Sequence, residues 1–145
     1  MKKFKFNLQR ILSLKERKEE LLKQELNRLY FKKNQHEHIK SHYENLVKSE
    51  YEKTREKKVF LSEDYQQQER FTFSLRNQIF NQDLMLKEYD IKIEKKMREI
   101  LENRKEIKTM DRLKENKLEE YNYELFLDER KQMDEISNRQ VNRGL

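Results

Sequence analysis

The segment HEHIKSHYE gathers His36, His38 and His42 beside Glu37 and is the one cluster in the chain whose residue types could bind a metal or pass a proton. In a helix His38 and His42, four residues apart, share a face, which is the start of a zinc site. His36 points elsewhere and no second ligand group joins them, so the segment reads as a solvated helix face. Paired Asp and Glu residues abound, but a general acid and base need a protected cavity that separates their environments. Gly144 is the single glycine, so no phosphate-cradling loop can be built. There is no cysteine, which excludes a thiolate nucleophile, a disulfide frame and thiolate ligation of metal. The expectation is a protein that is not an enzyme, with no catalytic residue, no metal and no cofactor.

A nucleic-acid surface is the next candidate. KSEYEKTREKK carries Lys48, Lys53, Arg55, Lys57 and Lys58, yet Glu50, Glu52 and Glu56 interrupt it. Such a mixture forms a solvated ion-pair face rather than a phosphate track, and the aromatics follow the apolar rhythm instead of making a stacking platform. A net charge of +6 on 34 basic and 28 acidic residues is modest, and no nucleic-acid partner is expected.

The elements that would carry any surface follow from composition. The 145 residues are 43% charged and 34% hydrophobic, with one glycine and no proline. Sheets and compact domains need turn residues and a larger apolar supply. Lys, Glu, Arg, Leu and Gln all favour helix, which leaves a few long helices joined along narrow seams. No stretch approaches the roughly 18 to 20 apolar residues of a membrane span. Gln9, Arg10 and Ser13 break the basic, apolar opening before it could serve as a secretory signal, so the cytoplasm is the expected compartment.

Apolar residues recur in a drifting three-four rhythm, interrupted by polar seam positions near Lys15, Lys18, Gln82 and Lys96. They include Leu8, Ile11, Leu22, Leu26, Leu29, Ile39, Tyr43 and Leu46, then Leu75, Ile79, Leu86, Tyr89, Ile93, Ile100, Ile107 and Met110. This spacing predicts a coiled-coil seam. VFLSEDYQQQER is the credible break: Ser62 suits an N-cap, Glu63 and Asp64 suit a first turn, and Val59, Phe60 and Leu61 suit a tucked corner. The expectation is one elongated all-α domain, a long antiparallel two-helix coiled-coil hairpin. Its first arm covers about 4–58, its bend about 59–66 and its second arm about 67–138, with a short frayed tail. Folded so, positions whose numbers sum to about 124 face each other. Leu46 then meets Ile79, Ile39 meets Met85 and Leu86, Leu26 meets Met97, Leu22 meets Leu101, and Ile11 with Leu12 meets Leu113.

Both ends carry a resemblance. KFKFNLQRILSLKERKEE, with Phe4, Phe6 and Leu8, then Gln9, Arg10, Ile11, Leu12 and Leu14, resembles the amino-terminal pattern of the FliJ family of flagellar export proteins. KTMDRLKENKLEEYNYELFLDERKQMDEISNRQ resembles the closing pattern of the same family, through Leu113, Lys114, Lys117, Glu120, Tyr121, Glu129, Lys131, Gln132 and Ile136. The family looks like the central stalk of a rotary ATPase in miniature. The resemblance implies a non-enzymatic partner of the hexameric flagellar export ATPase that stimulates the ring, links it to the membrane export-gate protein and escorts export chaperones. It implies a cytoplasmic protein peripherally associated with the inner membrane at the flagellar base.

On that reading the opening, where Phe4, Phe6 and Leu8 alternate with Lys5 and Asn7 as in a strand, is helical, and Phe4, Leu8, Arg10, Ile11, Lys15, Met133 and Ile136 are the candidate ring contacts. QQERFTFSLRNQIFNQ resembles the family's gate-associated segment and implies export-gate contacts at Tyr51, Phe71, Leu75, Gln78 and Gln82. The competing readings are a generic coiled-coil scaffold and, behind it, a basic nucleic-acid-binding helical protein.

Overall fold

A computed structural model describes residues 3–57, 59 and 61–144. It contains two long helices, α1 (Gln9–Glu56) and α2 (Ser62–Arg143), packed antiparallel, with no strand among the described residues. The all-α two-helix reading holds.

Both inner helix ends suit the helix dipole. Lys53 and Arg55 lie in the last turn of α1, and Glu63 and Asp64 in the first turn of α2. The amide of Tyr65 donates to the carbonyl of Leu61 at 3.1 Å, which makes Ser62 the first helical residue rather than the cap. The corner is not tucked: Val59 and Leu61 are exposed, because no neighbouring element offers them an apolar surface. Phe60 and Lys58 lie outside the described residues.

The chain divides into two compact units, Leu21–Ile100 and Met1–Glu20 with Leu101–Leu145. In the first, the seam positions of α1 run Leu22, Leu26, Leu29, Lys33, His36, Lys40, Tyr43, Val47, Glu50 and Thr54, with Leu46 also partly covered beside Val47. Those of α2 run Gln68, Thr72, Leu75, Ile79, Gln82, Leu86, Tyr89, Ile93, Lys96 and Ile100, with Asp64, Asp83 and Glu99 partly covered at the edges. The steps alternate strictly between three and four, yet close to half the positions are polar. Lys33 and Lys40 occupy seam positions by laying their methylene stems along the groove and passing their amines to the opposite helix. Lys33 reaches Asp90 at 2.8 Å and Lys40 reaches Asp83 at 2.6 Å. The two pairs are seven residues apart on each helix and lie within one residue of the expected register. Thr72, inside the seam, is satisfied within its own helix: its Oγ1 donates to the carbonyls of Gln68 and Glu69, at 2.9 and 3.2 Å.

Several expected apolar contacts are displaced by these polar layers. Ile39, Met85 and Met97 are exposed, since Lys40, Leu86 and Lys96 hold the seam beside them. In the second unit Ile11, Leu101 and Leu113 are exposed, and the seam uses Leu12 and Lys114. Leu12, 1% exposed, is its most deeply buried side chain. Arg104 Nε donates to Glu19 at 2.6 Å, and Lys114 Nζ donates to Gln9 Oε1 at 2.7 Å.

The opening departs from expectation. Residues 3–8 are not helical, and α1 is entered through a turn in which the Gln9 amide donates to the Phe6 carbonyl at 3.0 Å. In a helix Phe6 would point away from Phe4 and Leu8. Outside one, Phe4, Phe6 and Leu8 are all partly covered while Lys3, Lys5 and Asn7 stay exposed.

Candidate partner-binding surfaces

The unit holding both chain ends is built on Phe4. Its ring lies 5.6 Å from that of Tyr121 at an interplanar angle of 49°, so the non-helical opening is fastened to α2. Leu8 is half-buried and Leu12 closes the seam beneath it. Arg10 and Ile11 face outward. Lys15 is committed: its amine bonds Glu106, and its carbonyl accepts from Asn103 Nδ2 at 2.8 Å. The Lys15 ammonium holds the Glu106 carboxyl below the usual carboxylate range, through that hydrogen bond and then through its charge.

Beyond Leu125 every described residue of α2 is exposed. Met133 is 70% and Ile136 52% exposed, and both line a shallow groove with Phe126 and Glu129. Phe126, Met133 and Ile136 are spaced by seven and three residues and so share one helix face. Phe126 is readable from that spacing, but its neighbour Leu125 is the residue that fits the seam, and it is half-buried. Of the seven expected ring contacts, Arg10, Ile11, Met133 and Ile136 are therefore open. Phe4, Leu8 and Lys15 are engaged within the chain.

In the middle unit the five expected gate residues separate. Leu75 is 5% exposed and belongs to the seam. Gln82 is half-buried and accepts at Oε1 from His36 Nδ1 at 2.7 Å. Tyr51, Phe71 and Gln78 are exposed. Arg76 links two of the elements here: its guanidinium donates to the Tyr51 hydroxyl and sits 5.9 Å from the centre of that ring. At the base of the patch Gln68 Nε2 donates to the Glu50 carbonyl at 2.9 Å.

The histidines do not converge. His36 stacks on Tyr89 with ring centres 5.3 Å apart, His42 leans on Tyr43, and His38 is exposed. Among the described residues no group of three or more His, Cys, Asp or Glu side chains is placed to hold a metal ion. Within those residues no helix is long and apolar enough to cross a membrane. What the surfaces present is exposed apolar and charged area.

A family model described as "Flagellar FliJ protein" matches residues 4–145. The chain belongs to the FliJ family. No curated protein and no solved structure matches it at a significant level. Membership in the FliJ family supports a general role in flagellar protein export, in association with the export ATPase and chaperones.

Proposed function

We propose that this FliJ protein is a non-enzymatic component of the flagellar type III export apparatus that binds and stimulates the hexameric export ATPase. It couples that ring to the membrane export-gate protein, escorts export chaperones, and works in the cytoplasm against the inner face of the membrane at the flagellar base. The observation that carries the reading is the open apolar face of Phe126, Met133 and Ile136 at the end of a chain matched to the family from residue 4 to residue 145. Arg10 and Ile11 supply a cationic and an apolar contact at the other terminus, while Phe4, Leu8 and Lys15 act by holding that terminus in place. Toward the gate, Tyr51, Phe71 and Gln78 make the contact, and Leu75 and Gln82 fix the helices that present them.

The test combines Arg10→Glu with Met133→Ala and Ile136→Ala. All three positions are exposed, so helicity should be kept. Lys15 is left alone because its reversal would set it against Glu106. Affinity for the assembled cognate ATPase should fall about tenfold or more, with a shallower dependence on salt, and stimulation of hydrolysis should fall with it. Wild-type binding and stimulation by the folded variant would remove these ends from the ring contact.

A further inference from the structure

Besides its buried seam, α2 carries a second apolar stripe. Phe73, Phe80, Leu84 and Ile91 are 67%, 62%, 47% and 67% exposed. They are separated by seven, four and seven residues, a coiled-coil spacing. They sit one or two residues past Thr72, Ile79, Gln82 and Tyr89 of the seam, and so face away from α1. An apolar heptad stripe on the outer side of a coiled coil has the form of a place for one more helix.

We infer that the occupant is α2 of a second copy of this chain, running antiparallel. The spacing reads the same in both directions. With the two-fold axis at Gln82, Phe73 meets the second copy's Ile91 and Phe80 meets its Leu84, so all four apolar residues find apolar partners. A slip of one heptad either way sets two of them, in each copy, against polar or charged side chains.

Charge then chooses the direction. A parallel, in-register pair would also align the stripe, but it would place Arg70, Lys87, Glu94 and Arg98 each against its own copy. The antiparallel pair sets Arg70 against Glu94, Asn77 against Lys87 and Gln66 against Arg98, and flanks the stripe with Arg76 opposite Asp90 and with Asp83 opposite its own copy, each Asp83 carboxylate held by Lys40 of its own chain at 2.6 Å. Glu94 is already held by Arg98 at 2.7 Å through one carboxylate oxygen, which leaves the other for Arg70. Asp90 likewise receives Lys33 through one oxygen.

The stripe spans about 27 Å of helix. Four large apolar side chains from each copy, with the polar rim, bury about 1,200 Å² in total, the small end of specific interfaces. The dimer is therefore a weak, exchanging one.

Sedimentation equilibrium of the full chain over a wide concentration range tests this, alongside Phe80→Gln with Leu84→Gln. Glutamine is a good helix former and both positions are exposed, so the circular dichroism should not change. Dimerisation should weaken about a hundredfold, because the symmetry counts each substitution twice. The chain has no cysteine, so direction is read from single introductions. Asn81→Cys lies beside the two-fold axis and should oxidise to a covalent dimer. Ser74→Cys, which faces the second copy's Glu88, should cross-link at least tenfold more slowly.

A monomer at the highest concentration would overturn the proposal, as would a dimer indifferent to the paired substitution. Equal cross-linking at the two cysteines would establish a parallel pair and overturn it as well. A chain that stays monomeric and loses only export-gate binding with the paired substitution would assign the stripe to that partner instead. None of these outcomes depends on the ATPase contact proposed above.

Discussion

Asn103 offers a sharp test of how the unit holding the chain ends is stabilised. It is 2% exposed within the seam, its Nδ2 donates to the Lys15 carbonyl at 2.8 Å, and its Oδ1 has no hydrogen-bond partner. Replacing it by Leu removes a buried acceptor without a partner, which costs about 1–3 kcal/mol, and sacrifices one ordinary hydrogen bond, about 1 kcal/mol. The Lys15 carbonyl is not orphaned by the change, because it lies inside α1 where the helix supplies a donor. Leucine adds apolar burial of about 1.5–3 kcal/mol, less the misfit of a branched side chain in a site shaped for an amide. The net expectation is a gain of about 2 kcal/mol, or a rise of about 4–8 °C in the thermal midpoint followed by helical circular dichroism. Specificity should move the other way, since a single buried Asn pins the register of a coiled coil. In the wild-type background a cysteine at Glu19 should cross-link with one at Arg104, its present partner, and not with one at Asp111, one heptad further on. With Asn103→Leu both cross-links should form. A variant that melts at or below the wild-type temperature would refute the idea that the unpaired Oδ1 is a standing cost.

Two further predictions follow from burial and charge. Leu75→Ala should destabilise the helices by about 2–5 kcal/mol, whereas Phe71→Ala, at a position 45% exposed, should barely change stability while weakening export-gate binding; equal losses of stability would return Phe71 to the core. The carboxyls of Glu25 and Glu106 are held below 4.5 by hydrogen bonds from Lys96 and Lys15, so their contribution is present above about pH 4.5 and is lost as acid titrates the folded groups. Lys33, Lys40 and Lys96 are raised above 10.5 by hydrogen bonds to Asp90, Asp83 and Glu25, so theirs is complete below that pH and is lost as base titrates past the folded values. Thermal midpoints should therefore be level between these limits and fall modestly outside them, with Glu25→Gln plus Glu106→Gln flattening the acid limb; an acid limb unchanged in that double variant would refute the account.

Much of this architecture is legible in the sequence because a hairpin of helices is specified by spacing more than by side-chain identity. Steps of three and four, a break without Gly or Pro at Ser62, and acidic residues just after it define both helices and nearly their register. What the spacing of apolar residues hides is the polar share of the seam. Lys96 and Gln82 show as polar seam positions from the spacing itself, whereas Lys33, Lys40 and His36 look like surface residues until their stems and partners are seen, and following only apolar positions leads through Ile39 instead of Lys40. The opening misleads for a related reason: Phe4 and Leu8 suit a helix, but Phe6 can be covered only if the backbone there is not one. At the surfaces, Met133 and Ile136 are recognisable because they outrun the apolar positions of the first helix. Leu75 and Phe73 are harder, since adjacent registers of the same helix decide which is core and which is exposed.

The bare end of α2 has a consequence for the kinetics and cost of capture. An isolated helix is costly to start in water because its first turn fixes several residues for one hydrogen bond. The stretch after Leu125 never meets that barrier, since it grows from a helix already ordered by packing, one residue at a time. With every described side chain there exposed, its helicity is set by intrinsic propensity rather than by tertiary contact. A partner that grips Met133 and Ile136 therefore needs only to complete a helix already begun. Its binding energy goes into holding the stem rather than creating it, and the stretch can yield in length when the partner's socket is shallow.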